Sequence, residues 1–418
     1  MMRLRSVLIL IGVALTAGYL VSTSRLAAQV APKRVILFIG DGVGTSYWTA
    51  AVFAADDLAV RQFSVMGLLD TRSSDSRITD SAASATAFAA GVKTYNGAIG
   101  VDPDSNTVTT VLEVAQQRGM ATGLVATSSI THATPAAFAA HVPDRDMEYA
   151  IAQQIVEHEV DVILGGGRRF FDGSTRPDSI DLLSKIRERH TYVETADEFR
   201  SLDTDRVRRL VGLFAREHLP SAPRREPSLP EMTATAIAVL DQAPSGFFLM
   251  VEGSQPDWRG HDNAVLEAVT AEVLDFDRAI AVGLEYQDRN PETLIVVVAD
   301  HETGGLAIQL AGVDHLLRGA AARMDTTRNR LVEAGPALNS ADLALLDSTQ
   351  VFMARLSSRL RREARIRTGS SQLVARYTTG EHTASMTPLF AAGPDAERFG
   401  GIKDNTQIGQ LLLETMRR

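Results

Sequence analysis

The chain has 418 residues, enough for one large domain or two ordinary ones, and its 45% hydrophobic and 22% charged fractions are those of a globular protein. Its 42 basic against 51 acidic residues give a formal charge of −9, with no long basic run to offset it, which argues against non-specific nucleic-acid binding. It has no cysteine, so disulfides and thiolate-ligated zinc are excluded, and any bound metal must take His, Asp, Glu, hydroxyl or water ligands.

The N-terminus opens on a basic MMRLR, continues through the apolar run SVLILIGVALTAGYLV and reaches small residues at Ala27 and Ala28. This is the layout of a secretory signal peptide, so residues 1–28 are expected to direct export to the periplasm or the cell exterior. The apolar run is shorter than the roughly 20 residues of a full membrane span. An uncleaved N-terminal anchor is the alternative, and no other segment reads as transmembrane.

From residue 29 onward, short apolar runs alternate with helical patterns. RVILFIG (34–40), TGLVAT (122–127), VDVILGG (160–166), GFFLMVE (246–252), TLIVVVAD (293–300) and TPLFAAG (387–393) read as strands buried on both faces. Helical patterns lie between them at 110–119, 150–159, 231–243 and 267–284. Such alternation predicts an α/β fold, a mostly parallel central sheet with helices on both faces, in which ligands bind at the carboxyl ends of the strands. Residues 168–230 are charged and irregular, and 306–376 hold an Arg-rich helical stretch. Both read as insertions on a single domain spanning 29–418. The basic cluster RLRREARIR (359–367) reads as a solvated face.

The run TDSAASATAFAAGVKTYNGAIG (79–100) places an acid and a hydroxyl at the head of a helix made almost wholly of Ala, Ser and Thr. A helix N-terminus favours anions, and Ser81 would stand beside such a site, although Asp80 or Ser81 as an ordinary N-cap explains the stretch equally well. The stronger pattern is at the strand ends. Asp41 follows the first strand, Glu252 ends another, Asp257 and His261 follow it, Asp300 and His301 end a third, and His382 precedes the last. Seven such groups at one sheet edge would repel unless cations lie among them. Ligand sets of O and N without thiolate suit zinc at mixed His/Asp positions and magnesium at all-oxygen positions. His141, in AAFAAHV, reads as structural, and His158, His190, His218 and His315 carry no assigned role.

The motifs DGVG, TDSAASATAFAAGVKTYNGAIG, HATPAAFAAHVPDR, VEGSQPDWRGH, ADHETGG and GEHT occur in the order seen in the alkaline phosphatases, and the chain resembles that family over most of 33–305 and again from about 378 to the end. The resemblance implies an exported, metal-dependent phosphate monoesterase with an alkaline-phosphatase-like catalytic domain, working through a phosphoserine at Ser81. It implies a first zinc on Asp257, His261 and His382, a second on Asp41, Asp300 and His301, and a third site, usually magnesium, on Glu252, Thr134 and the shared Asp41. Arg145 matches the phosphate-gripping arginine, with Asp80 orienting it. His132 and Trp258 stand where some members carry Asp and Lys, so the third ion could be another divalent metal, such as zinc or cobalt. The family usually forms homodimers. The alternatives are a phosphodiesterase of the same superfamily, a sulfatase, which the missing C/S-x-P-x-R motif disfavours, and a binding protein with a dead site.

Overall fold

The computed structural model describes residues 33–310 and 373–418. The leader, the cluster at 359–367 and His315 lie outside them. In chain order the strands are β1 (Arg34–Gly40), β2 (Val65–Asp70), β3 (Ala121–Ser129), β4 (Val162–Gly166), β5 (Thr191–Val193), β6 (Leu210–Leu213), β7 (Phe247–Gly253), β8 (Thr293–Val298), β9 (Glu302–Thr303), β10 (Ala307–Leu310), β11 (Leu373–Arg376), β12 (His382–Thr383), β13 (Thr387–Ala392) and β14 (Gly401–Asp404). Two compact units divide them. In the unit Leu306–Tyr377, β10 and β11 pair antiparallel. The other unit, which comprises the chain up to Gly305 and Thr378–Arg418, contains a ten-stranded sheet in the order β14-β2-β13-β8-β1-β7-β3-β4-β6-β5, and the antiparallel pair β9–β12.

All six expected strands are present, and the sheet is mostly parallel with helices, as its alternation predicts. One strand runs backwards: β13 is antiparallel to both β8 and β2. The cause is connection length. β12 ends at Thr383, at the carboxyl edge of the parallel strands, and β13 starts at Thr387, too soon for the dozen or more residues that a parallel crossover needs. The segment 168–230, irregular in sequence, contributes β5 and β6 to the sheet. TYV and LVGL are too short among charged neighbours to show any period.

β1 is buried along nearly its whole length, and its side chains alternate between two cores. Val35, Leu37 and Ile39 join a cluster with Phe138 and Phe248, which stack with centroids 5.9 Å apart. Phe38 points the other way and meets Phe276 of the helix Leu266–Arg289 edge-on.

The helix Ser81–Ala90 is buried at every residue. Its small side chains let the C-terminal helix Asn405–Arg417 approach backbone to backbone: a Cβ on Gly409 would lie 2.3 Å from the Ala87 carbonyl oxygen and 2.5 Å from the Gly91 nitrogen. The small residues that make up nearly all of SAASATAFAA are thus a packing requirement that fixes the position of Ser81. Gly409→Ala is expected to destabilise the protein by about 1–3 kcal/mol, the usual range for overpacking. Chemical denaturation measures it, and an unchanged midpoint would contradict the close approach.

Candidate active site

The register of the central strands brings three acids to one edge. Ile39 of β1 sits opposite Glu252 on β7 and Val298 on β8, so Asp41 and Asp300, each two residues on, emerge beside Glu252 at the carboxyl ends. Gly42 makes the turn after Asp41 with φ of 72°, and a Cβ there would lie 2.7 Å from the Asp257 Cα. Asp257 and His261 follow β7 on the short helix Gln255–His261. His382 comes from β12, and Ser81 opens its helix directly after the cap Asp80.

Asp41, Glu252, Asp300 and His301 are all fully buried. Both oxygens of Asp41, Oδ2 of Asp300, Oε1 of Glu252 and the Thr134 hydroxyl have no hydrogen-bond partner. Buried acceptors without donors cost free energy, and their number here fits a set of cation ligands. Asp41, Asp300 and His301 bring ligand atoms within 4.8 Å of one another, as do Asp41, His132 and Glu252, and Asp257, His301 and His382. Asp41 is common to two of these sets.

The histidine ring nitrogens argue for the same conclusion. His261 Nδ1 lies 2.7 Å from the Gly380 carbonyl and His382 Nδ1 lies 2.9 Å from the Thr79 carbonyl, so each Nδ1 carries the proton and donates it. In the neutral rings both Nε2 lone pairs then face inward, 3.1 Å from each other and 3.3 and 3.6 Å from Asp257 Oδ1. Three acceptors converging on one point have the chemistry to hold a cation, with the two carbonyls fixing the ring orientations from behind.

The electrostatics fit a set of cation ligands. Burial, then the charges of Asp300, Asp257 and Glu252, raise the pKa of Asp41 well above the carboxylate range. Burial pushes Asp300 up to about 8, assisted by Asp257 and Glu252. Burial also pushes Glu252 up to about 7, against the Ser254 and Ser128 hydroxyls that lower it. Asp257 is desolvated too, yet its hydrogen bond with His261 and the imidazole charges hold it below its usual range. The same hydrogen bond raises His261 to about 9, whereas burial drives His301 well below 6.5 and His132 to about 3.

Ser81 Oγ lies 3.2 Å from His301 Nε2, at the border of the carboxylate cluster. Asp80 caps the helix through Ala83 N at 3.0 Å, while its other oxygen takes bonds from Gly97 N at 3.0 Å and Arg145 Nη1 at 2.9 Å. The second Arg145 terminal nitrogen meets His132 Nε2 at 3.2 Å. Ser81, Asp80, Arg145, His132, Asp41, Glu252, Asp257, His261, Asp300, His301 and His382 are thus linked through one network of contacts.

The chain matches the family model described as alkaline phosphatase over residues 32–417. This chain belongs to the alkaline phosphatase family. The members are phosphomonoesterases, and so is this enzyme. It is 35% identical to alkaline phosphatase 3 of Bacillus subtilis, over 92% of this chain and 89% of that protein. Its fold is similar to that of the alkaline phosphatase from the Antarctic bacterium TAB5, at 33% identity and a TM-score of 0.74, over 93% of this chain and 99% of that one. A TAB5 variant with one histidine replaced by aspartate, magnesium bound in its M3 site, gives a TM-score of 0.73 at 33% identity, over 93% and 98% of the two chains.

The sequence reading missed two contributors. Thr303 hydrogen-bonds through its hydroxyl to Asp257 and lies 3.3 Å from His301 Nδ1, tying two of the ligand sets together. Its place two residues after His301 in ADHET was the available signal. His218, given no role, accepts from the Ser129 amide at 2.9 Å and packs edge-on against Trp258, with centroids 4.6 Å apart, and against His132. No local pattern could have indicated this, because the segment around His218 reaches the site only through the tertiary fold.

Proposed function

We propose that this enzyme hydrolyses phosphate monoesters through a phosphoserine at Ser81, with two zinc ions held by Asp257, His261 and His382 and by Asp41, Asp300 and His301. A third divalent cation is held by Asp41, Glu252 and Thr134, beside His132. The observation that carries this reading is the set of buried, partnerless oxygens on Asp41, Asp300, Glu252 and Thr134 that surrounds the Ser81 region. When bound, the cations neutralise phosphate charge and lower the pKa of the oxygens that attack and leave.

The chain's own groups do the remainder. The helix start aims its first-turn N–H groups and partial positive charge at the space where phosphate oxygens would lie. Asp80 holds Arg145 Nη1 and His132 meets Nη2, and the guanidinium N–H groups that remain can grip two phosphate oxygens, a planar fit that lysine lacks. Water must then attack phosphorus on the face opposite Ser81 to release phosphate and restore the hydroxyl. The magnesium in the M3 site of the TAB5 variant, where aspartate replaces a histidine, supports a third cation site in this enzyme. Because His132 replaces a carboxylate with a neutral ligand, this site favours an ion that accepts nitrogen, such as zinc or cobalt, over magnesium. Export directed by residues 1–28, a single catalytic domain over 29–418 and a homodimer belong to the same reading.

The test is kcat/KM for an aryl phosphate monoester against its bis-aryl diester. A monoester has the extra charged oxygen that Arg145 is placed to hold, so a strong monoester preference is expected. Arg145→Ala should reduce that preference by about 10²-fold or more, the scale of a lost charge-stabilising donor. A diester preference in the unaltered enzyme would overturn the assignment.

A further inference from the structure

A second group of potential metal ligands lies outside the catalytic region: Glu113, His141 and His158. We propose that these three side chains form a separate zinc site that braces the fold. The three come from different segments. Glu113 is in the first turn of the helix Val111–Gln117, His141 follows the helix Ala133–Ala139, and His158 caps the C-terminus of Glu148–Glu157.

The ligand atoms are at the right spacing. His141 Nε2 lies 3.1 Å from Glu113 Oε1, His158 Nε2 lies 3.9 Å from the same oxygen, and one ligand atom from each residue lies within 4.8 Å of the others. Tetrahedral zinc with bonds of about 2.0–2.1 Å sets its ligand atoms about 3.3 Å apart. One edge of the triangle already has that length, and a small rotation of His158 supplies the next. Two imidazoles and one carboxylate are a known zinc set that leaves a position for water.

The side chains of His141 and Glu113 are also oriented from behind. His141 Nδ1 is 2.6 Å from the Gly100 carbonyl, so it carries the proton and Nε2 presents its lone pair to the triangle when the ring is neutral. The second Glu113 oxygen accepts from the Thr110 amide at 2.8 Å. Gln154 spans the backbone of His141, donating to its carbonyl and accepting from its amide, and Gln116 donates to the His158 carbonyl. Gly100 itself is restricted to glycine, since a Cβ there would meet the Ala140 carbonyl at 2.1 Å and His141 Nδ1 at 2.8 Å. The side chains of the three residues keep between 11% and 24% of their exposure, enough for an ion to enter.

The consequence is mechanical. Gly100 and His141 flank the antiparallel bridge Ile99–Val142, and the same loop bonds Arg145 N to the Gly97 carbonyl. An ion on His141 would fasten this bridge to two helices. It requires nothing of the catalytic residues, so its failure would leave the proposed reaction standing.

The test counts zinc. The full chain and its His158→Gln variant are each dialysed against the same buffered free zinc, and bound zinc per chain is measured by plasma mass spectrometry. The variant is expected to hold one ion fewer at unchanged monoester turnover, and equal counts would overturn the proposal. Anomalous diffraction at the zinc edge from crystals of the unaltered chain gives a reading that needs no variant. A peak among Glu113, His141 and His158 is expected, and its absence at a concentration that fills the catalytic sites would overturn the proposal.

Discussion

Ser81→Ala is expected to lower kcat for phosphate monoesters by about 10⁴-fold or more, the scale on which removal of a covalent nucleophile is felt. That factor corresponds to roughly 5.5 kcal/mol of lost transition-state stabilisation. The fold should tolerate the change. Ser81 begins a helix whose cap is the neighbouring Asp80, and the substitution adds one more alanine to a helix already built of small residues. Among the described residues its hydroxyl meets the ring of His301, a proposed metal ligand. Bound metal and the denaturation midpoint should therefore match those of the unaltered protein. Turnover within tenfold of the original would remove Ser81 from the reaction.

The second large effect is on stability after metal removal. Asp300, with a native pKa of about 8 against 3.8, Glu252, at about 7 against 4.5, and Asp41, also raised, hold protons in the native state that the unfolded chain has released. His261, at about 9 against 6.5, adds to them. A raised native pKa contributes stability that is complete below the unfolded value and is lost as pH rises through the native one. Below pH 6.5 the lowered values of His301 and His132 act in the opposite direction. Asp257, depressed in the native state, contributes no slope above its unfolded value of 3.8. Between pH 6.5 and 9, then, the raised groups of the site act in one sense. Chelated protein should lose stability across that window at up to about 1.4 kcal/mol per pH unit for each proton held only by the folded state. Zinc should abolish the fall, since metal takes the deprotonated ligands. Denaturation midpoints of chelated and zinc-replete protein at pH 6.5 and 9 measure this. A chelated form as stable at pH 9 as at pH 6.5 would contradict the electrostatic account.

The strands and the acids at their ends were legible in the sequence for one reason. A strand buried on both faces is a continuous apolar run, and a charged residue just after it is conspicuous. RVILFIG followed by Asp41 and TLIVVV followed by Asp300 and His301 are examples. The reversal of β13 was not legible, because direction depends on where the preceding residues lie in space. Nor were β5 and β6, whose few apolar residues are surrounded by Arg, Asp and Glu. The small-residue helix raised a question that only its partner could answer: Gly409 is more than three hundred residues away in the chain. His141, read as structural, and His158, given no role, acquire a common meaning only when Glu113 is seen between them.

In the proposed reaction the phosphoryl group passes through the Ser81 oxygen. The direct measurement is to mix metal-replete enzyme with a phosphate monoester, quench in acid within one turnover, digest the chain and read the peptide masses. The account predicts one phosphoryl group on the peptide containing Ser81 and none in Ser81→Ala. Rapid turnover with no phosphorylated peptide at any quench time, or with the phosphoryl group on a different residue, would contradict it.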